Sequence, residues 1–188
     1  MESYKEKPSR HSVRLPGFDY SSVGMYFVTI CTAERRCIFG QIQRNKTALS
    51  PIGDIARACW IEIPRHFPNV RIETYVVMPN HVHGILTIHS KWPDANTQSK
   101  TAAAKESFGK PTRGSIPTIV RSFKAAASKH ARESGLIAGE SIWHRGYYEH
   151  VLRNTREYVA ATNYILLNPA RWADDEDNPA SKSRADKL

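Results

Sequence analysis

The sequence predicts one domain of the α+β class, in which an antiparallel sheet packs against helices. Runs rich in β-branched and aromatic residues favour strands, and segments whose apolar residues recur with the period of a helix separate them. A chain of 188 residues that is 40% hydrophobic is long enough to bury a substantial core. We therefore expect one folded domain over residues 14–172. A flexible basic arm (residues 1–13) precedes it, and a disordered polar tail (residues 173–188) follows it.

The expected strands are apolar runs bounded by turn-forming residues. They cover residues 24–32, 70–78, 81–89 and 141–151, and a short edge strand is expected before Leu49. Pro79 and Asn80 join the second and third of these runs, which therefore form either an antiparallel pair or one bent strand.

The expected helices begin at residues that favour a helix start. Ser50 can cap the first helix and Pro51 suits its first turn. Asn154 can cap the last helix, and Glu157 can reach back to complete a capping box. The helices are expected over residues 51–66, 115–135 and 154–168. The segment between residues 90 and 115 has no period and is expected to be a long flexible loop.

Two histidines on the third strand are candidate metal ligands. Side chains alternate along a strand, so His81 and His83 point to one face, which is expected to be polar, and Val82 points to the opposite, core face. Two neighbouring imidazoles can share one divalent ion, although a surface pair without a metal fits the same pattern. His89 would lie ~20 Å from His83 along a strand, so a third ligand must come from elsewhere.

The charge of the chain favours a polyanionic partner. The formal net charge is +9 and the pI is about 9.6. Clustered Lys and Arg release counterions when they bind phosphates. Residues 91–132 contain nine Lys or Arg but only Asp94 and Glu106 as acids, so much of the excess follows the histidine strand.

Several other classes of protein are disfavoured. Cys31, Cys37 and Cys59 have no CxxC spacing, which argues against a disulfide framework or a zinc cage. No run of about 18 apolar residues and no secretory leader is found, so we expect a cytoplasmic protein without a membrane span. The HExxH motif of zinc hydrolases is also missing.

Three motifs, taken in their order and spacing, resemble those of the single-tyrosine HUH transposases, and most closely the REP-associated tyrosine transposases. They are PNHVHG at residues 79–84, YEHVLRN at 148–154 and YILLNP at 164–169. The resemblance covers roughly residues 14–172. It implies a ferredoxin-like or RRM-like antiparallel sheet of about four to five strands, backed by helices, with the tyrosine on a C-terminal helix.

The resemblance also implies roles for individual residues. His81 and His83 match the histidine pair that binds a divalent ion, Mg²⁺ or Mn²⁺, and Tyr164 matches the nucleophilic tyrosine. Asn168 matches the position of a polar third ligand, and an amide oxygen can ligate such an ion. The implied reaction is metal-dependent cleavage and rejoining of single-stranded DNA beside a REP-like hairpin, through a 5′-phosphotyrosine link. Such an enzyme acts as a monomer or a homodimer.

Basic residues near these motifs are candidate DNA contacts. They are Arg14, Arg121, Lys124, Lys129 and Arg153. A non-catalytic module that binds single-stranded nucleic acid is the main alternative, because exposed aromatic residues on a ferredoxin-like sheet suit that role as well. A relaxase-like nuclease also shares the histidine pair, but such proteins are usually longer and place the tyrosine differently.

Overall fold

Four strands form one antiparallel sheet in a computed structural model of the chain, which describes residues 18–92, 112–175 and 177–181. The four strands are β1 (Gly24–Cys31), β4 (Val70–Val77), β5 (His81–Ile88) and β6 (Tyr148–Leu152). Their spatial order in the sheet is β4-β5-β1-β6. The expected α+β class with an antiparallel sheet is confirmed.

The remaining elements lie between these strands. A separate hairpin consists of β2 (Gly40–Gln43) and β3 (Lys46–Leu49), at the place where an edge strand was expected. The helices are α1 (Pro51–Ile61), α2 (Ile63–His66), α3 (Ile116–Glu133) and α4 (Thr155–Leu167), and 3₁₀ turns cover Ala33–Arg35 and Pro169–Asp174. Among the described residues, no helix has both the length and the apolar character needed to cross a membrane.

Two predicted elements differ from the structure. The helix expected over residues 51–66 is broken at Glu62, because Pro64 cannot donate a backbone hydrogen bond to the preceding turn. The strand expected over residues 141–151 is paired in the sheet only from Tyr148 to Leu152. Ile142 and Trp143 are buried in the core, and the pairing of this segment is limited to an isolated antiparallel bridge between Trp143 and Thr32.

The two faces of the sheet pack against different helices. The face of β5 that carries Val82, Leu86 and Ile88 lies in the main core with Trp60 of α1 and Phe123 of α3, as expected. The opposite face was expected to be polar, but helix α4 covers it, and a second apolar cluster forms there from Ile85, Leu152 and Ile165. The two histidines of β5 therefore lie under a helix and not on an open surface.

Gly84 allows the histidine strand to pack against α1. A Cβ atom at this position would overlap the indole ring of Trp60, which lies against the backbone of β5. We expect Gly84→Ala to lower the free energy of unfolding by about 2 kcal/mol or more, measured by urea denaturation, because a packed core accommodates extra volume poorly. Gly139→Ala is the control, since no atom of the described residues lies within 4 Å of the position that its methyl group would take. An equal loss of stability in both variants would contradict this account.

Candidate active site

The two histidines of β5 form a buried pair. Their ring centroids are 4.2 Å apart, and their side chains are 0% and 2% exposed for His81 and His83. His81 Nδ1 lies 2.8 Å from Asn80 Oδ1, and His83 Nδ1 lies 2.8 Å from the Thr29 hydroxyl. In the described part of the chain, neither Nε2 atom has a hydrogen-bond partner. Two buried nitrogen atoms are thus left for a ligand.

Asn80 sets the tautomer of His81. The Asn80 Nδ2 group donates to the carbonyl oxygens of Arg35 (3.0 Å) and Asp177 (2.6 Å), so the Asn80 Oδ1 atom faces His81 as an acceptor. The proton of neutral His81 therefore lies on Nδ1, and its Nε2 lone pair is available to a metal. Sequence reasoning treated Asn80 only as a turn residue and missed this supporting role.

The surroundings keep both imidazoles neutral. Burial lowers the pKa of His81 to about 3, and the nearby Arg35 charge adds to this effect. Burial also lowers the pKa of His83 well below its usual value, with further contributions from His81 and Arg35. A neutral imidazole is the form that ligates metals, so both residues are ready to bind an ion at neutral pH.

Two oxygen donors lie beside the histidine pair. The ligand atoms of His81, His83 and Asp175 all lie within 4.8 Å of one another. Asn168, the third ligand expected from the resemblance, donates from Nδ2 to Asp175 Oδ2 at 3.1 Å. Its Oδ1 atom is buried and lacks a partner among the residues described. The structure therefore brings Asn168 to the site and adds Asp175, which sequence reasoning had assigned to a disordered tail.

The beginning of the predicted tail is ordered against this site. The 3₁₀ turn after α4 brings Asp175 and Asp177 back to the sheet, where Asp177 Oδ1 pairs with Arg35 Nη1 and the Asp177 amide donates to Asp175 Oδ1 at 2.7 Å. Asn178 is buried and donates to the Trp172 carbonyl at 2.8 Å. The expectation of disorder from residue 173 is thus corrected for residues 173–175 and 177–181, and residues 182–188 lie outside the described chain.

Tyr164 faces the same cleft from α4. The centroid of its ring is 5.1 Å from that of His83 and 6.0 Å from that of Phe27, and its side chain is 46% exposed. The start of α4 is fixed by the predicted cap, in which Asn154 Oδ1 accepts a hydrogen bond from the Glu157 amide at 2.9 Å. The helix therefore holds a half-exposed phenol against a buried histidine.

A cleft of about 760 Å³ lies between the sheet and α4. Its walls include the aromatic residues Phe27, Tyr148 and Tyr164, together with His83. Two polar pairs also line it, His150 with Glu157 and Arg35 with Asp177. Tyr148 is 45% exposed, and its ring lies edge-on to Phe27 with centroids 6.3 Å apart. The cleft thus offers an exposed aromatic surface next to the histidines.

The described basic residues that were proposed as DNA contacts are not among the residues that line this cleft. Arg121 and Lys129 are exposed on α3, on the other side of the sheet, and Arg153 is exposed just before α4. Lys124 donates to the carbonyl oxygens of His144 and Gly146, both at 2.8 Å, and burial lowers its pKa to about 8. Arg14 lies outside the described residues. The cleft arginine, Arg35, was missed because its polar segment carries no recognisable motif.

Comparisons with known proteins show what the chain is similar to. No protein-family model matches the chain. An uncharacterised protein of Haemophilus influenzae is 38% identical over 89% of this chain and 92% of its own length. A second protein of that organism, provisionally named REP-associated tyrosine transposase, is 26% identical over 81% of this chain and 74% of its own length. The REP-associated tyrosine transposase of Escherichia coli is 26% identical, over 81% of this chain and 70% of its own length.

A solved structure has a similar fold. It is a REP-associated tyrosine transposase bound to a REP hairpin, with a TM-score of 0.54 and 21% identity, and the match covers 87% of this chain and 74% of that one. The α+β fold of this chain is thus that of a solved tyrosine transposase. The chain is similar to two REP-associated tyrosine transposases over 81% of its length, which confirms the resemblance carried by the three motifs.

The buried histidines should make the protein sensitive to acid. Unfolded histidine binds a proton near pH 6.5, whereas folded His81 does so only at a pKa of about 3. The unfolded state therefore binds more protons between these values, and stability should fall as the pH drops from about 7 towards 3. The slope is at most about 1.4 kcal/mol per pH unit for each histidine.

Thermal melts at pH 7.5, 6.5 and 5.5 test this prediction. As the pH is lowered, the Tm of the double variant His81→Gln, His83→Gln should fall much less than that of the wild type. The Tm of His130→Gln, a substitution at an exposed position on α3, should fall as in the wild type. An unchanged pH dependence in the double variant would mean that other groups cause the acid sensitivity.

Proposed function

We propose that this protein cleaves and rejoins single-stranded DNA through a covalent bond between Tyr164 and a 5′ phosphate. The observation that carries the proposal is the position of Tyr164 beside His83 in one cleft, with ring centroids 5.1 Å apart, while His81 packs against His83. Similarity to REP-associated tyrosine transposases supports a DNA-processing enzyme that acts on REP DNA.

The residues present fit a divalent metal ion. His81 and His83 would provide Nε2 atoms, and Asp175 or Asn168 would provide oxygen. Because Mg²⁺ prefers oxygen ligands, two imidazoles favour Mn²⁺ over Mg²⁺. When bound, such an ion supplies Lewis-acid activation of a phosphate. Asn80 and Thr29 would keep the two imidazoles oriented towards it, as hydrogen-bonded partners of metal-ligating histidines usually do.

Tyr164 would be the nucleophile. Its phenol oxygen would form a bond to phosphorus while the bond from phosphorus to the 3′ oxygen breaks, and the phenol proton leaves as the 3′ oxygen becomes a hydroxyl. The contacts of the Tyr164 ring with His83 and Phe27 would orient it, and its exposure would give DNA access. Because the link conserves a phosphodiester, a 3′ hydroxyl could reverse the step and rejoin the strand.

Single-stranded DNA with a neighbouring hairpin is the proposed substrate. Unstacked bases can stack on exposed aromatic rings, and Tyr148 offers such a ring beside Tyr164 in the cleft. The solved structure of similar fold carries a REP hairpin, so a hairpin with a single-stranded flank is the DNA to test first.

Substitution of the nucleophile tests the reaction. With end-labelled hairpin DNA from the sequence beside the gene and Mn²⁺ or Mg²⁺, the wild-type protein should give a nicked strand and a protein-linked 5′ end. Tyr164→Phe should reduce both by about a thousandfold or more, because the attacking oxygen is lost. EDTA should have a similar effect, since the proposed reaction requires the metal.

Tyr158→Phe is the matched control, because it removes a hydroxyl from the same helix at a residue outside the cleft lining. It should cleave like the wild type. Tight DNA binding without cleavage or adduct, with several flanking sequences and both metals, would instead support the non-catalytic binding module.

The oxygen ligand can be identified by metal titration. We expect His83→Ala and Asp175→Ala to weaken Mn²⁺ binding to the DNA-free protein by about tenfold or more, measured by calorimetry, because each removes a donor. His150→Ala removes a cleft histidine that is not among the clustered donor residues, and this variant should bind Mn²⁺ normally. Normal binding by Asp175→Ala with weak binding by Asn168→Ala would assign the oxygen ligand to Asn168.

A further inference from the structure

We propose that Arg35 binds the DNA phosphate that Tyr164 attacks. This inference rests on the proposed function and adds a residue to it. Arg35 lies in the 3₁₀ turn Ala33–Arg35 that follows β1, and its side chain is 43% exposed and lines the same cleft as His83 and Tyr164.

The charge of the cleft is the first observation. Among the described residues that line it, Arg35 is the single Lys or Arg. Arg121, Lys129 and Arg153 are not among its lining residues, and Lys124 binds backbone carbonyl groups. A cleft that receives a polyanion needs a cation, and a guanidinium group can donate two parallel hydrogen bonds to one phosphate.

The backbone at Arg35 is the second observation. Glu34 and Arg35 both have φ of 55°, a left-handed conformation that favours glycine over residues with a Cβ atom. Asn80 Nδ2 binds the Arg35 carbonyl at 3.0 Å, and the Thr32 hydroxyl binds the Arg36 carbonyl at 2.8 Å, so neighbouring groups hold this conformation. An arginine in a position that glycine would fill with less strain points to a role for its side chain.

The present partner of Arg35 is the third observation. Its Nη1 atom pairs with the carboxylate of Asp177, and the other oxygen of that carboxylate lies 3.8 Å from His81 Nδ1. The guanidinium group therefore already binds an oxyanion beside the histidine pair. A phosphate oxygen from the cleft has the same charge and acceptor chemistry as this carboxylate, and the Arg35 side chain is partly exposed in the cleft.

Neutralisation of single phosphates tests the contact. The probe is a hairpin with a single-stranded flank from the DNA beside the gene, prepared as a series with one methylphosphonate link each. Binding is measured with Tyr164→Phe protein in EDTA, so that neither cleavage nor metal contributes. At one link, loss of the phosphate charge should weaken DNA binding by about tenfold or more. This link should be the one that the wild-type protein cleaves.

Arg35→Gly in the same background should bind unmodified DNA about tenfold more weakly, and the methylphosphonate at that link should then have no further effect. This variant should stay folded, because glycine suits the left-handed backbone; its Tm checks this. Arg44→Gly is the matched control, since Arg44 also has a positive φ (49°), is exposed and lies outside the cleft lining.

Normal binding by Arg35→Gly, a sensitive link that persists in this variant, or a sensitive link that differs from the cleaved one would each overturn the proposal. The failure of the proposed function has a different signature. In that case wild-type protein gives no covalent adduct with metal, whereas the binding measurements in EDTA still report whether Arg35 contacts a phosphate.

Discussion

The side-chain amide of Asn80 is the interaction on which the candidate site depends. It accepts a hydrogen bond from His81 and donates to the carbonyl oxygens of Arg35 and Asp177. One buried group thus joins the histidine strand, the turn after β1 and the segment after α4. Because the two donated bonds fix which amide atom faces His81, they also fix which imidazole nitrogen is left for a ligand.

Burial gives the site its chemical character. Helix α4 covers the histidine face of the sheet, and the apolar contacts of Ile85, Leu152 and Ile165 hold it there. The same burial keeps both imidazoles neutral, and it leaves their Nε2 atoms without hydrogen bonds from the described chain. Unsatisfied buried nitrogens are costly, so a fold that retains two of them next to a carboxylate is well suited to an ion that would satisfy them.

Much of the fold follows from local patterns. The strand at residues 81–88, the helix start at Ser50 and the cap at Asn154 depend on residues close together in the chain, and each was predicted. The break of the helix at Glu62 was not predicted. The sheet strand was also predicted to include residues 142–143, because Ile142 and Trp143 are buried apolar residues and a sheet strand would contain such residues as well. Apolar character alone cannot distinguish these two causes.

For the site, the sequence by itself determined which residues share a face. The alternation of a strand places His81 beside His83, and helical spacing places Asn168 one turn after Tyr164. Only the tertiary structure decided that the histidines are buried, that Asp175 joins them and that Arg35 lies in the cleft. These features depend on contacts such as that of Asn80 with Asp177, which are 97 residues apart. Local patterns carry no information on which distant segments meet, because that depends on how the whole core packs.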